Sequence, residues 1–365
     1  MNRRQMLIGA GTTAAFGGGA AYLTIAAMGS PSDYAAGIAA ARSPLADTPS
    51  ARELVRYATL APNGHNTQPW LFRTGDRRIE ILPDSSRRTP VVDPDDHHVF
   101  VSLGAAAENL SLASAARGAS GSVRFDPGHK GSVVFDFEQA RPIASPLFEA
   151  ITRRQSTRAD YDGRSVSAAD LDTLARAADV PGVELVLLTD RSRVDQLRDL
   201  VLAGNSTQMA DAAFVRELKA WLRFNPRQAL RTHDGLYSVA SGNPALPDWL
   251  GPHAFEWVST AKSQNDAYAR QIRSSSGIAV FVGAGETPAH WVSVGQACQR
   301  FALQATALGL KHAFINQPVE VPGLRPELAA LIGLPGRRPD IVMRFGYGPT
   351  MPWSPRRPVD SVIVT

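Results

Sequence analysis

Hydrophobic and polar positions recur along this chain with two different periods, and together they predict helices alternating with short strands. Apolar side chains in residues 52–60 recur at a spacing near 3.6, which is typical of an amphipathic helix. Shorter apolar runs indicate strands, and Gly75 is predicted to supply the tight turn between the first two. The predicted strands cover residues 70–73, 78–82, 133–137, 183–188, 277–283, 340–346 and 361–365.

Two long apolar helices carry nearly the same arrangement of small residues. The helix predicted over residues 99–117 places Gly104 and Ala106 ahead of a closing Gly118, and the same frame returns as Gly295 and Ala297 ahead of Gly309. An amphipathic helix and a strand precede each copy, so the pattern indicates an internal repeat. Small residues let two helices approach closely across a two-fold interface, and ordinary core packing of an alanine-rich helix explains the same local pattern.

Residues 60–70, with the sequence L-A-P-N-G-H-N-T-Q-P-W, fit no ordinary helix or strand. Pro62 and Pro69 each remove a backbone donor and restrict the chain. Asn63 and Gly64 tolerate turn dihedrals, so we predict a stiff, irregular loop between the first helix and the first strand. The amide side chains of this loop either satisfy its own backbone or bind a ligand.

The composition is that of a large globular protein with a mild positive charge. The chain has 365 residues and 44% hydrophobic side chains, which allow a large core in one or two domains. Only four of the 38 basic residues are lysines, and the arginines are dispersed, so the net charge of +4 favours small anions over nucleic acid. The single Cys298 excludes an intrachain disulfide, and its apolar neighbours predict a buried, inert thiol.

The first 30 residues are typical of an export signal. Arg3 and Arg4 precede a run from Leu7 to Met28 that has no charged residue, and this resembles a twin-arginine signal. A retained membrane anchor is the alternative, because the run is long enough to span a bilayer at about 1.5 Å per residue. We therefore expect export by the twin-arginine machinery to an extracytoplasmic or membrane-anchored location. Residues 31–49, rich in alanine, serine and proline, are predicted to be a surface linker.

Residues 93–98, with the sequence D-P-D-D-H-H, allow two interpretations. Carboxylates and imidazoles in one short segment are metal ligands in other proteins. The same residues precede the apolar helix predicted from Val99, where acidic groups stabilise a helix N-terminus. Capping explains the segment without a metal ion, and we predict no metal site.

The loop at residues 60–70 resembles the A-P-S-x-x-N-x-Q-P-W loop of the FMN-dependent nitroreductase family, with Asn63 where that family usually has serine. The resemblance implies that the loop lies along a flavin and that Asn66 hydrogen-bonds the edge of the isoalloxazine ring. An amide suits that edge because it both donates and accepts hydrogen bonds. Pro62 and Gln68 belong to the same motif and are carried over as cofactor-binding residues.

Three further segments resemble cofactor-binding parts of that family. The sequence Arg154-x-Ser156-x-Arg158 is similar to its R-x-S-x-R opening, and an extended segment would point these side chains at one phosphate. Taken alone, such a run is typical of a solvated turn. The resemblance also implies that Ile315 and Asn316 pass close to the flavin ring and that Arg356 and Arg357 help hold the phosphate.

The resemblance covers roughly residues 45–365 and is greatest to the tandem members of Acg type. It implies an α+β nitroreductase-like fold of two degenerate repeats, each with a mostly antiparallel sheet flanked by helices, that form a pseudo-dimer within one chain. We expect an N-terminal half at residues 50–140 and a C-terminal half at residues 141–365, with an irregular, lid-like insertion at residues 225–257. The terminal strand resembles the extension with which such protomers join each other's sheet.

The resemblance implies an oxidoreductase in which FMN accepts two electrons from NAD(P)H or another donor and passes them to a nitroaromatic, quinone or similar acceptor. No side-chain acid or base is required. The alternative is a protein that stores or shields FMN without turnover, because a lid could block the ring and an exported protein meets little NAD(P)H. Each half of the flavin motif occurs once, so we predict one FMN per chain and a monomer.

Overall fold

The computed structural model describes residues 27–128 and 130–364, and these form two α+β halves with one main sheet each. The predicted export signal lies outside the described residues except for its last four positions. The elements up to residue 150 are α1 Pro31–Ala39, α2 Ala51–Ala58, β1 Trp70–Gly75, β2 Arg78–Pro83, α3 His97–Ala116, β3 Ala119–Asp126, β4 Ser132–Gln139 and α4 Pro146–Ala150.

The rest of the chain is richer in helices than the sequence patterns predict, because α6 and α10 mix polar and apolar positions and gave no clear signal. Its elements are α5 Ala168–Ala177, β5 Val183–Leu188, α6 Arg191–Ala210, α7 Ala212–Ala220, β6 Leu222–Arg223, α8 Pro226–Thr232, β7 Leu236–Tyr237, α9 Gly251–Val258, α10 Ala261–Arg273, β8 Gly277–Gly283, α11 Pro288–Ala307, β9 Lys311–Phe314, α12 Gln317–Glu320, α13 Arg325–Leu331, β10 Ile341–Gly346 and β11 Ile363–Val364.

The two main sheets are mostly antiparallel, as expected. The first has the strand order β11-β1-β2-β4-β3, and the second has the order β5-β8-β10-β9. Strand β11 comes from the end of the chain and pairs in parallel with β1 of the other half, with Phe72 opposite Ile363. The turn between β1 and β2 corrects one prediction: Gly75 stays in the strand, and Arg77 takes the left-handed conformation at φ 49°.

Helices α3 and α11 pack directly against each other through the small residues noted in the sequence. A Cβ atom added to Gly104 would lie 2.0 Å from the carbonyl oxygen of Val292, and one added to Gly295 would lie 2.0 Å from that of Val101. The contact is therefore reciprocal. Both helices also end at a left-handed glycine, Gly118 or Gly309.

Helix α3 is the central helix of the core. Among the described residues it is the one helix whose length and hydropathy would allow it to cross a membrane, and 83% of that apolar window is buried inside the protein. The segment before it caps its first turn as predicted, because both carboxylate oxygens of Asp93 accept backbone amides, from His98 at 3.0 Å and Val99 at 3.2 Å.

Residues 31–49 are not the linker that the composition predicts. They begin with α1 and continue as a short 3-10 turn, Ala40–Arg42. Tyr34 and Ile38 are buried against Ala229 and Tyr237 of the insertion at residues 225–257. The alanines that suggested a linker are good helix formers, and Ser30 caps the helix by accepting a hydrogen bond from the Asp33 amide.

The insertion is also more regular than predicted, since it contains α8, β7 and α9. Its proline and glycine residues mark helix starts and turns, with Pro226 and Pro252 in the first turns of α8 and α9. Its aromatic residues do not share one environment. Tyr237 is buried, whereas Trp249 and Trp257 are 67% and 73% exposed and face away from the core.

Candidate cofactor site

Two adjacent cavities lie between the halves. The larger has a volume of about 190 Å³ and is lined by the loop at residues 62–65, the start of α3, and parts of α6, α10 and α12. The smaller has a volume of about 40 Å³ and lies beside Arg154 to Arg158. Both share a wall made by Pro62, Asn63, Arg158, Leu236 and Phe314. The sequence motifs from both halves therefore meet at one composite site.

The loop between α2 and β1 is conformationally strained. His65, Asn66 and Gln68 have φ values of 47°, 53° and 55°, so three non-glycine residues within four positions are left-handed. Asn63 and Gly64, which were expected to carry the turn, have φ outside that region. Each such residue costs on the order of 1 kcal/mol and persists only where the surroundings hold it, which is common at binding sites.

Arg356 is the main support of this loop. Its Nε donates to the carbonyl of Thr59, and its Nη2 donates to those of Leu60 and Ala61. Its Nη1 donates to Asn66 Oδ1 at 2.9 Å and to its own neighbour Pro355. All five N–H groups of this guanidinium thus have protein acceptors. Arg356 lines the smaller cavity but acts there by positioning the loop.

The insertion supports the loop from the other side. Gly235 donates its amide to the Asn66 carbonyl, and Asn66 Nδ2 donates back to the Gly235 carbonyl at 3.0 Å. Gln68 Nε2 donates to the His233 carbonyl at 2.8 Å. The chain segment just before β7 is therefore attached to the loop by three hydrogen bonds.

Three of the side chains that the resemblance assigns to the cofactor have partners within the protein. The Asn66 amide is engaged by Gly235, Pro355 and Arg356 within the protein, and it lies at the smaller cavity. The Gln68 amide bridges His233 and the amide of Arg357 and lines neither cavity. Arg357 turns away and donates to Asp84 at 3.3 Å and to the carbonyl of Gln68. A buried side-chain amide forms hydrogen bonds with protein groups when these are close, and the sequence motif does not reveal which groups they are.

The smaller cavity concentrates arginine without acidic residues, and we call it the anion pocket. Its lining includes Arg42, Arg154, Arg158 and Arg356 together with Ser156, and no aspartate or glutamate of the described chain is among the lining residues. Arg158 donates no hydrogen bond to any described residue through its guanidinium, and only its carbonyl is used, by Gln271. Arg154 Nη2 donates to the Leu60 carbonyl at 2.7 Å.

The protonation equilibria of these arginines show that their charge lacks compensation. Burial, with the neighbouring Arg356, lowers the pKa of Arg154 to about 9, and burial lowers the pKa of Arg356 to about 10. Burial also lowers the pKa of Arg42 and Arg158. Guanidinium groups stay protonated at neutral pH, so the pocket holds several buried positive charges. Such a site attracts a small anion.

Unsatisfied polar atoms point to the same conclusion. Arg154 Nε and Trp353 Nε1 are buried at the anion pocket without a hydrogen-bond partner among the described residues. Three atoms of the larger cavity are also buried without a hydrogen-bond partner among the described residues: His65 Nδ1, His98 Nε2 and Gln317 Oε1. Buried polar groups normally have partners, so these five atoms are available to hydrogen-bond a polar ligand in either cavity.

The larger cavity combines neutral polar groups with apolar ones. Burial, with a contribution from Arg158, lowers the pKa of His65 to about 4, and burial lowers the pKa of His98. Both imidazoles are therefore neutral at pH 7 and offer one donor and one acceptor each. Phe314, Val101 and Ala105 supply apolar surface beside them. This mixture suits a planar heteroaromatic ring, and FMN, with one ring system and one phosphate, fits the residues present.

The remaining predicted residues divide between the site and the core. Asn316 lines the larger cavity, and its Oδ1 accepts the Val342 amide at 2.9 Å. Ile315 instead lies in the core, 1% exposed, and lines neither cavity. Alternation along the chain at the end of β9 places neighbouring side chains on opposite faces, which explains the difference. Cys298 is buried as predicted, and burial raises its pKa to about 12.

Sequence reasoning missed several lining residues. Arg42 lay in the supposed linker, and Trp353 carried no motif. Tyr268 belongs to α10, which gave no clear hydrophobic period.

Asp93, His97 and His98 bring potential metal-ligand atoms within 4.8 Å of one another. His97 Nε2 is hydrogen-bonded to Asp340 Oδ1 at 2.9 Å, and Asp93 caps the first turn of α3. These contacts support the capping interpretation.

Comparisons with known proteins agree with the resemblance. The model of the nitroreductase family matches residues 151–348. A Mycobacterium tuberculosis protein with the provisional name NAD(P)H nitroreductase Rv3131 is 25% identical over 344 residues, which cover 90% of this chain and 94% of the relative. A second protein of that organism, provisionally named NAD(P)H nitroreductase acg, is 26% identical over 345 residues, covering 85% and 94%.

Solved structures give more distant matches. A nitroreductase with bound FMN from Desulfitobacterium hafniense is 16% identical, with a TM-score of 0.38, and the match covers 61% of this chain and 99% of that one. The FMN-dependent nitroreductase NfnB from Mycobacterium smegmatis, in complex with NADPH, is 13% identical, with a TM-score of 0.38 and coverages of 56% and 87%.

Proposed function

The chain belongs to the nitroreductase family, and from this premise we propose that it is an FMN-dependent oxidoreductase. Its electrons come from NAD(P)H or another donor and go in pairs to a nitroaromatic, quinone or similar acceptor. The observation that carries the proposal is the anion pocket, whose lining contains no acidic residue of the described chain and which lies beside a cavity with unsatisfied polar atoms. One phosphate and one ring system account for both features.

The roles of the residues follow from their contacts. Arg158 and Ser156, with the free Nε of Arg154, face the anion pocket and would hold the phosphate. His65 and His98 would meet polar atoms of the ring system in the larger cavity. Arg356 and the insertion hold the strained loop in place, and Leu236 helps to exclude water from both cavities. FMN supplies the hydride chemistry when it is bound, so the side chains need only bind and orient.

We also propose that the chain is an internally duplicated pseudo-dimer with one working site. The reciprocal approach of α3 and α11 at Gly104 and Gly295, and the pairing of β11 with β1, are the contacts that support a two-fold relation between the halves. The loop at residues 62–65 comes from one half, and Arg154 to Arg158 come from the other. Each occurs once, so one FMN should bind per monomeric chain.

Cofactor release tests this proposal. The purified protein should be yellow and should release FMN, without FAD, on denaturation, because the site has a pocket for one phosphate. Absorbance of the released flavin against protein should give a ratio near one. A colourless protein that stays colourless with added FMN would contradict the function, whereas a ratio near two or one-half would contradict the arrangement of the site.

A second candidate function, storage or shielding of FMN, is favoured by the insertion. Its backbone is bonded to the loop at Asn66 and Gln68, and its Leu236 lies in the walls of both cavities. Anaerobic mixing of the flavin-loaded protein with NADPH, followed by dithionite, separates the two functions. Bleaching of the flavin absorbance by NADPH supports the oxidoreductase, and bleaching by dithionite alone supports storage.

A further inference from the structure

The segment at residues 31–42, formed by α1 and the 3-10 turn after it, lies against the cofactor site. Tyr34 donates its hydroxyl to the Trp353 carbonyl at 2.6 Å, and its ring lies 4.3 Å from that of Tyr237. Gly37 is in close contact with Leu230, whose Cδ2 would be 2.7 Å from an added Cβ. The segment therefore bridges the insertion and the chain that leads to Arg356.

Arg42, at the end of this segment, reaches the anion pocket. Its Nη1 donates to the Thr152 carbonyl at 2.8 Å, and its guanidinium lies 5.0 Å from the ring centroid of Trp353. Arg56 holds the backbone on both sides of it by donating to the carbonyls of Ala41 and Ser43. Among the described residues, Nη1 is the one nitrogen of Arg42 that donates to the protein. Its other N–H groups have no acceptor among the described residues and can reach a ligand.

The arginines of the anion pocket differ in how many donors they can offer. Arg356 uses all its N–H groups on the protein, and Arg154 uses Nη2 on the Leu60 carbonyl. Among the described residues, Arg42 likewise donates through a single nitrogen, and the Arg158 guanidinium donates through none. Burial, together with repulsion from Arg356 and Arg154, lowers the pKa of Arg42. A bound dianion would remove that repulsion, since unlike charges attract strongly in a site shielded from water.

We propose that Arg42 is a ligand of the cofactor phosphate and that phosphate binding stabilises the docked position of residues 31–42. The proposal rests on the proposed function, because it takes FMN as the cofactor. The phosphate joins Arg42 from the start of the folded chain to Arg158 from the C-terminal half. Any ligand that binds the docked state alone favours that state by mass action.

Affinities for FMN and riboflavin, measured by quenching of flavin fluorescence on the full chain, test the ligand role. Riboflavin has the same ring system without the phosphate. Arg42→Gln should weaken FMN binding about tenfold and leave riboflavin binding unchanged, because one charge-assisted hydrogen bond is lost. The FMN affinity of Arg42→Lys should lie between those of the wild type and Arg42→Gln, since lysine keeps the charge without the forked donors. Arg52→Gln is the matched control, because Arg52 is exposed and paired with Asp360 at 2.7 Å.

Hydrogen exchange of residues 31–42 tests the docking. FMN should slow exchange there in the wild type more than riboflavin does, and this difference should vanish in Arg42→Gln. If FMN and riboflavin binding fall equally in Arg42→Gln, the residue is structural and the inference is overturned. Failure of the wild type to bind FMN would instead overturn the proposed function itself. Equal slowing of exchange by FMN and riboflavin would overturn the docking step.

Discussion

Two groups of buried and half-buried arginines lie on either side of the loop at residues 62–69, and they differ in their charge balance. The paired cluster consists of Arg87, Arg223 and Arg357 with the carboxylates of Asp84 and Asp234. Arg223 donates to Asp234 at 2.6 Å, and Arg87 donates to the same carboxylate at 2.9 Å. The anion pocket holds four arginines with no acidic residue of the described chain in its lining.

The difference separates arginines that are paired with carboxylates from arginines whose charge no carboxylate lining the pocket in the described chain offsets. Asp234 belongs to the insertion, and Arg87 also donates to the Thr67 carbonyl, so the paired cluster fastens the insertion to the loop. Its two carboxylates offset two of its three positive charges within the protein. Burying several positive charges without a partner is costly, so a pocket of that kind indicates an anion supplied from outside.

Removal of the central carboxylate of the paired cluster should have the largest effect. Asp234→Asn leaves Arg87 and Arg223 without their charged partner, and it should lower the free energy of unfolding by about 3 kcal/mol. Urea unfolding measures the change. Asp266→Asn is the control, because Asp266 is exposed and pairs with the exposed Lys262 at 2.9 Å, and it should change stability by less than about 1 kcal/mol.

The stability difference between wild type and Asp234→Asn should depend on pH, because the Asp234 carboxyl group titrates. Burial alone would raise its pKa, but hydrogen bonds from Arg87 and Arg223 outweigh burial and lower it. A carboxylate with a lowered pKa in the folded state stabilises the protein above its unfolded pKa of about 3.9, and the contribution disappears as pH falls through the folded value. The stability gap between wild type and Asp234→Asn should therefore be constant from about pH 5 to 7 and narrow below about pH 4. A gap that widens in acid would contradict the paired cluster.

Truncation of an arginine in the anion pocket should weaken FMN binding and leave stability unchanged, and the change in free energy should be smaller than that caused by Asp234→Asn. Arg158→Ala removes a guanidinium that donates to no described residue, so the flavin-free protein should keep its stability. FMN binding should weaken by about one to two decades, or roughly 1.4 to 2.7 kcal/mol. Arg153→Ala is the control, since Arg153 is exposed and donates only to the Glu149 carbonyl within the described chain. Loss of stability with unchanged FMN affinity would place Arg158 with the structural arginines.

The hydrophobic pattern predicted most strands well because their signal is local. The strands at residues 183–188 and 277–283 agree with the structure at both ends, since continuous apolar runs between turn residues leave little ambiguity. Polar helices such as α10 were missed, because their buried positions are few. The segment at residues 31–49 was misjudged, because its burial depends on the insertion, which lies about two hundred positions later in the chain.

The motifs named residues that the fold brings together, and the fold gave each of them its contacts. Asn63, Arg154, Ser156 and Arg158 were expected at the cofactor site from the resemblance, and all line the anion pocket. Arg356 and Arg357 are adjacent in sequence and look equivalent there. In the fold Arg356 lines the pocket, while Arg357 pairs with Asp84 on the other side of the loop. Neighbouring side chains in an extended segment point to opposite faces, and motif similarity does not say which face meets the ligand.

The sequence by itself determined the two-period pattern of the strands and helices, the stiff loop between Pro62 and Pro69, and the small-residue helices that meet at Gly104 and Gly295. These depend on neighbouring residues and on backbone chemistry. The tertiary structure alone decided which buried arginines have carboxylate partners and that Arg42 joins the anion pocket. The reason is physical: the charge balance of a buried site is the sum over residues brought together from distant parts of the chain, and that sum exists only once the chain is folded.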